Sequence, residues 1–249
     1  IDKGVNFIDV APVYGKGHSE TLVGKALKSG YRSKVILATK CGLVWNGNSP
    51  TVNNLTKKSI FKEVEDSLKR LQTDYVDLFL INWPNPSKYR DTYEETAIET
   101  WKALETIYKE GKARAIGVAN YEARHIEFCL EQSEIAPMVN QARIYPGFPF
   151  NDNLYCANEH NIQTEAFLPP MNDVILNSNE LAIFANKYHT TPRAIATRYH
   201  LEKDCISLCS GKNEDELRQC FEAFNFDISD TDMKFLDAMK NYGPENINP

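Results

Sequence analysis

Asn6-Phe-Ile-Asp9-Val-Ala-Pro-Val-Tyr14-Gly15 is followed at a distance by Val35-Ile-Leu-Ala-Thr-Lys40. The first stretch reads as a buried strand, Asn6 to Ala11, running into a turn at Pro12. Asp9 stands at the end of that strand and Tyr14 in the loop behind it. The second stretch is another apolar run that finishes on a lysine. An acid, a phenol and an amine at the C-terminal ends of neighbouring strands form a candidate proton-transfer cluster. An ammonium beside a phenol favours the phenolate, and a carboxylate beside the ammonium holds it in place. Such a phenol can serve as a general acid. The plainer alternative is that Asp9 and Lys40 form a buried ion pair and Tyr14 only packs.

Working outward, the same kind of apolar run recurs. Val76–Asn82, Ala113–Asn120, Met138–Ile144, Ile162–Leu168 and Ile206–Ser210 read as strands. Between them lie stretches with helical spacing: 19–27 with a cap at Ser19, 56–71, 97–108, 123–132, 151–161, 179–189, 192–203 and 214–224. A further helix, 230–239, stands outside the alternation, and 41–54 reads as a polar loop carrying Trp45. Strands that are apolar throughout, rather than alternating, belong to a parallel sheet covered by helices. The count is seven strands, so the expected fold is α/β, a (β/α)8 TIM barrel lacking its first strand and helix in this sequence. A doubly wound sheet is the competing architecture, but no GxGxxG turn follows any strand.

Composition narrows the function classes. The chain has 249 residues with 42% hydrophobic content, enough for one barrel domain over residues 1–249. A net charge of −6 without a basic cluster argues against nucleic acid. No apolar run approaches the roughly 20 residues of a membrane helix, and no signal peptide appears in the sequence, which opens mid-pattern at Ile1 without a Met. The six cysteines are scattered and mostly in apolar surroundings, which reads as buried, reduced thiols of a cytoplasmic protein. Cys205 and Cys209 are too far apart for a CxxC motif, and no Cys/His set has zinc spacing.

Barrels of this type place their active sites where the strands end. The strand ends in order are Asp9, Lys40, Asn82, Asn120, Gln141, Phe167 and Ser210. One polar strand end means little, because strands end at water; a ring of them with Asp9 and Lys40 opposed favours a site.

These residues carry a resemblance. Phe7-Ile-Asp9-Val-Ala-Pro-Val-Tyr14-Gly15 resembles the strand-two signature of the aldo-keto reductases. Asp74-Tyr-Val-Asp-Leu-Phe-Leu-Ile-Asn82-Trp-Pro84 resembles their strand four, Gly111–Asn120 their strand five, and Val139-Asn-Gln141 their strand six. The resemblance implies a barrel that reduces aldehydes and ketones with NADP(H) or NAD(H), bound without a Rossmann fold. It places the catalytic aspartate, tyrosine and lysine on Asp9, Tyr14 and Lys40. It places cofactor carboxamide contacts on Asn120 and Gln141, and the ring stacked on the nicotinamide on Phe167. Tyr14 would protonate the carbonyl oxygen as hydride reaches the carbon, stabilising the charge that develops there.

The sequence also departs from the pattern. The family's catalytic histidine falls on Asn82, which can donate a hydrogen bond but cannot titrate near neutral pH. Potassium-channel β subunits, a branch of the family, resemble this chain there. Ala119 replaces a serine that usually helps to hold the carboxamide. Ser210-Gly211-Lys212-Asn213-Glu-Asp-Glu216 aligns with the segment that grips the adenosine 2′-phosphate. There the expected Lys falls on Ser210, the Arg on Glu216 and the Asn on Cys220, and Lys212 is the nearby cation. A carboxylate at Glu216 would repel the phosphate, so weak discrimination in favour of NADPH is expected.

Trp45 and Trp83 are expected either to wall a substrate pocket or to cap the core. His18, His125, His160, His189 and His200 read as surface or packing residues. The expected function is nicotinamide-dependent reduction of a small carbonyl compound. The alternative is a weakened reductase-like protein that binds a nucleotide or a protein partner, and the loops carry no readable code for the substrate.

Overall fold

Alternation of apolar runs with amphipathic stretches becomes alternation of strands with helices. The computed structural model describes residues 1–28, 30–84, 93–168, 173–211 and 213–241. The first part comprises β1 (Phe7–Asp9), α1 (His18–Leu27), β2 (Ile36–Cys41), β3 (Leu43–Val44), β4 (Val52–Asn53), α2 (Lys57–Leu71), β5 (Val76–Ile81), α3 (Tyr93–Lys109), β6 (Ala113–Ala119) and α4 (Ala123–Gln132). Then come β7 (Val139–Arg143), α5 (Asn151–Glu159), β8 (Gln163–Phe167), α6 (Asp173–Leu176), α7 (Asn179–Lys187), α8 (Pro192–Glu202), β9 (Ile206–Leu208), α9 (Glu214–Phe221) and α10 (Asp230–Asp237). The sheet order is β1-β2-β5-β6-β7-β8-β9, which is chain order with the β3–β4 hairpin set apart. Every pairing described in that sheet is parallel. The fold class is α/β of the (β/α)8 barrel type, with seven of its strands among the described residues. None of the described helices is long and apolar enough to cross a membrane.

The chain divides into two compact units, Ile1–Asn140 and a second from Gln141 onward. In the first, Phe7, Ala38, Leu78, Leu80, Ala115 and Val139 form one apolar cluster. Strand side chains repeat every two residues, so the residue two places on shares the face. From Phe7 that residue is Asp9, from Ala38 it is Lys40, and from Leu80 it is Asn82. The register sets Asp9 beside Ala38, one same-face step before Lys40. Polar strand ends therefore crown an apolar layer on a shared face. Gly117 lets the strands close at this layer, because a Cβ there would lie 2.4 Å from the Val139 carbonyl oxygen and 2.9 Å from a Leu80 methyl.

Helix α2 shows how the outside is held. Thr56 caps it by accepting from the Ser59 amide, and Ile60, Val64, Leu68 and Leu71 bury one face. Each such residue is worth roughly 1.5–3 kcal/mol when fully buried. In the second unit the core gathers Ile144, Tyr145, Ile175, Ile195, Tyr199 and Leu236, with β8 and β9 paired from Glu165↔Ile206 to Phe167↔Leu208.

Three local expectations need correction. Residues 41–54 are not all loop: Leu43 and Val44 pair antiparallel with Asn53 and Val52. Strands of two residues are too short to leave a period in the sequence. Helix α1 starts at His18 rather than being capped by Ser19, because Gly17 in the left-handed region (φ 88°) turns the chain into it without a side-chain cap. Finally, α6 is a single turn that no pattern announced.

Candidate active site

In the first unit, Lys40 Nζ lies 2.7 Å from both Asp9 carboxylate oxygens. Lys40 is 2% exposed, so its ammonium is held by a neighbour rather than by water. That ammonium stands 5.6 Å from the centre of the Tyr14 ring. Tyr14 itself is 45% exposed. A phenol open to solvent thus sits over a buried, fixed cation. The structure brings together the three residues singled out in the sequence.

Asn82 and Asn120 follow directly on β5 and β6. The Asn120 side-chain amide donates to the Asn82 carbonyl at 2.9 Å, tying the two strand ends together. Asn120 adopts a left-handed backbone (φ 61°), which asparagine tolerates better than most residues. The Asn82 backbone N–H in turn donates to the Cys41 carbonyl at 2.9 Å. Asn82 is buried, whereas Trp45 and Trp83 are half-buried on the loops that follow β3 and β5.

Two buried carboxylates behind Lys40 gave no sequence signal. Glu20, on α1, accepts from the Thr39 hydroxyl at 2.7 Å and from Arg70 Nε at 2.6 Å. Thr39 precedes Lys40 and points to the opposite face, so this link fixes β2 from outside. Glu63, on α2, accepts from the Gly42 amide at 2.9 Å and from the Ser59 hydroxyl at 2.9 Å. Burial raises its carboxyl to about 7, against the opposing pull of those hydrogen bonds. Cys41, between Lys40 and Gly42, is fully buried, and burial followed by the Glu63 charge pushes its thiol well up. It packs in the core.

In the second unit, the Gln141 side chain donates to Glu165 at 2.9 Å, and both are buried. Phe167 ends β8, half-buried. Ser210 and Gly211 are exposed, and Lys212 lies outside the described residues. Glu216 does not stand alone. Arg193, at the start of α8, donates to the Glu216 carboxylate at 3.0 Å and to the Ser210 carbonyl at 2.9 Å. The carboxylate expected to repel a phosphate has its charge paired with a largely buried guanidinium. Only the Pro192 that opens α8 marks Arg193 in the sequence, so nothing there foretold the partnership. His200 is a packing residue. Its Nε2 lies 2.6 Å from the Ile144 carbonyl, which makes that nitrogen the protonated one and leaves Nδ1 to accept from Ser207 at 2.7 Å. Burial lowers its pKa to about 4.

The Aldo/keto reductase family pattern matches residues 1–241. Glyoxal reductase of Bacillus subtilis is 34% identical over 252 residues, covering 100% of this chain and 83% of that protein. Methylglyoxal reductase DkgA of Yersinia pestis is 30% identical, covering 98% of this chain and 84% of that protein. Among solved structures, MGS-M4, an aldo-keto reductase enzyme from a deep-sea metagenome, has TM-score 0.81 and 29% identity, with 100% of this chain and 88% of that one covered. A mutant of Gox0644 in complex with NADPH has TM-score 0.80 and 28% identity over 97% of this chain and 82% of that one. This chain belongs to the aldo/keto reductase family.

Proposed function

We propose that the protein reduces a small aldehyde or ketone to the alcohol with a nicotinamide cofactor, Tyr14 being the proton donor. The observation that carries this is the exposed Tyr14 phenol over a Lys40 ammonium held by both Asp9 oxygens. A substrate carbonyl reaching Tyr14 would accept a hydrogen bond from its hydroxyl. As negative charge grows on that oxygen the phenol proton moves to it, and the nearby ammonium stabilises the phenolate left behind. Asp9 keeps the ammonium in place through the step. Asn82 would offer a hydrogen bond to the carbonyl but no second titrating group.

The nicotinamide cofactor, when bound, supplies the hydride. Asn120 in the first unit offers a backbone-anchored amide for it. In the second unit, Gln141, Phe167, Ser210, Gly211, Lys212 and Glu216 are assigned to it, and the Arg193–Glu216 pair holds the last part of that segment in shape. The fit rests on the Asn120 amide, tied to the Asn82 carbonyl, and on the Ser210 carbonyl, held by Arg193. Because Arg193 compensates Glu216, neither charge is left to favour or repel a 2′-phosphate strongly, so weak discrimination between NADPH and NADH follows. Trp45 and Trp83 are assigned to the substrate pocket, and the location is taken to be cytoplasmic. The names of the glyoxal and methylglyoxal reductases that this chain resembles suggest small dicarbonyls as first substrates to try.

A second reading, a weakened reductase that mainly binds nucleotide or a partner, is favoured by one observation: Asn82 stands buried where a titrating histidine is usual. Steady-state reduction of methylglyoxal, with NADPH and NADH side by side, separates the two. Turnover abolished by Tyr14→Phe supports the enzyme. Tight cofactor binding with no turnover on a panel of aldehydes supports the second reading.

A further inference from the structure

Two residues beyond Tyr14, the Lys16 side chain leaves its own loop. Its Nζ donates to the Gly47 carbonyl and to the Ser49 carbonyl, each at 3.1 Å. Both carbonyls lie at the tip of the β3–β4 hairpin, between Val44 and Val52. That hairpin follows directly on the strand that ends with Lys40, and it carries Trp45. The contacts close a ring within the first unit. It runs from Tyr14 through Lys16 to the hairpin tip, back through Trp45 to Lys40, and across 5.6 Å from the ammonium to the Tyr14 ring. We propose that Lys16 is a positioning residue that fastens the hairpin tip beside Tyr14 and so limits the size of the carbonyl compound that reaches the phenol. The limit on size rests on the reductase reading above; the tether itself does not.

The hairpin is held unequally at its two ends. At its root the Gly42 amide donates to the buried Glu63 carboxylate, and the Gly42 carbonyl accepts from the Asn54 amide, both at 2.9 Å. Gly42 is left-handed (φ 94°), and a Cβ there would lie 2.7 Å from a Leu55 methyl, so the root is tightly packed. At the tip, Asn46 to Ser49 are exposed, and the Ser49 amide donates to the Asn46 carbonyl at 2.9 Å. A ladder this short holds little by itself. The position of the tip therefore depends on what grips it from outside, and Lys16 does so through main-chain carbonyls, which hold the turn itself rather than a side chain on it. The backbone at Lys16 points the same way. Lys16 is left-handed (φ 52°) between Gly15 (φ 62°) and Gly17 (φ 88°). Residues with a Cβ are uncommon in that region, and asparagine is among those that tolerate it best. Hydrogen bonds from the Tyr14 amide to the Ala11 carbonyl at 3.0 Å and from the Gly17 amide to the Pro12 carbonyl at 2.7 Å fix the turn without help from the side chain. What lysine adds at this position is reach. Because its partners are exposed, the tether yields more easily than the root, and its loss should loosen the tip while the Asp9–Lys40 pair stays in place.

The test compares the whole chain with Lys16→Asn, which suits the left-handed backbone but cannot span to the hairpin, and with Lys16→Arg, which keeps reach and charge. Hydrogen exchange reads the tether without any turnover. In Lys16→Asn the peptide covering Asn46–Ser49 should exchange faster by about three- to tenfold, the range that one modest hydrogen bond supports. Exchange at Asn54 and the urea midpoint should stay as in the unmodified protein, and Lys16→Arg should keep the slow exchange. Steady-state reduction of methylglyoxal and of 2-naphthaldehyde reads the size limit. In Lys16→Asn the ratio of kcat/KM for the small compound to that for the large one should fall by a similar factor of about three to ten, carried by KM rather than kcat. Lys16→Arg should restore the ratio. Unchanged exchange at the tip, an equal loss on both substrates, or an arginine variant that behaves like the asparagine one would overturn the proposal. Unmodified protein that reduces no aldehyde would instead overturn the reductase reading and the size limit with it, and the exchange result alone would then decide the tether.

Discussion

Two regions are proposed to carry the chemistry, and they are built differently. At the end of β1 and β2 the charged groups are supplied by the strands themselves, one face-step beyond an apolar layer. After β9 the charges come from elsewhere: Glu216 lies on α9 and its partner Arg193 on α8, twenty-three residues earlier in the chain. The first region is stiffened from behind by Glu20 and Glu63, each buried and each accepting from two donors. The second is exposed along Ser210 and Gly211 and held by one guanidinium. A group placed by a strand inherits the precision of the ladder. A group placed by a loop needs a partner to fix it, and its chemistry can be retuned by changing that partner.

The largest test of the first region removes the proposed proton donor while keeping its ring. Tyr14→Phe is expected to lower carbonyl reduction by ~10²–10⁴-fold, the usual worth of general acid catalysis, with cofactor affinity unchanged. Wild-type turnover in this variant would make the cluster a structural ion pair and erase the contrast.

Next comes the outer brace. Glu20→Ala leaves Arg70 without its carboxylate and Thr39 without its acceptor, and breaking such a buried pair costs about 3–5 kcal/mol. Urea unfolding should show it as a lowered midpoint at unchanged slope. A loss well under 1 kcal/mol would mean that β2 is held by the sheet alone.

Glu63 gives a pH signature. Its folded pKa of about 7 stands above the ordinary glutamate value of 4.5. Between those values the folded state binds more protons than the unfolded one, so stability falls as pH rises through that window and levels off above it. The drop attributable to this residue is at most about 3 kcal/mol. Glu63→Gln, which keeps an acceptor for the Gly42 amide, should flatten that slope. The test is urea unfolding at pH 5 and pH 7.5, roughly bracketing the window. His200 works oppositely. With its folded pKa lowered to about 4, it contributes stability at neutral pH that is lost as the medium acidifies from the ordinary histidine range, so its slope must be subtracted using a His200 variant.

The smallest expected effect sharpens the second region. Arg193→Met frees the Glu216 carboxylate, which should weaken NADPH relative to NADH by a factor of ~10, or ~1.4 kcal/mol. Dissociation constants for both cofactors at one salt concentration measure it. An unchanged ratio would show that Glu216 does not face the phosphate, and the fault would then lie in the alignment of that segment.

The sequence by itself determined the alternation of strands and helices, their approximate limits, and the face shared by Asp9 and Lys40. These rest on local periodicity: a strand repeats every two residues and a helix every 3.6, whatever surrounds them. It also marked Tyr14, Asn82, Asn120, Gln141 and Phe167 as strand-end or loop residues. Only the tertiary structure decided what each buried charge meets. Glu20 finds Arg70 fifty residues away, and Glu216 finds Arg193. Such pairings depend on how helices pack over the sheet, and no spacing along the chain records them. The hairpin at Leu43–Val52 and the single turn of α6 escaped for a related reason. Elements that short have no period of their own and form only where the neighbouring packing completes them.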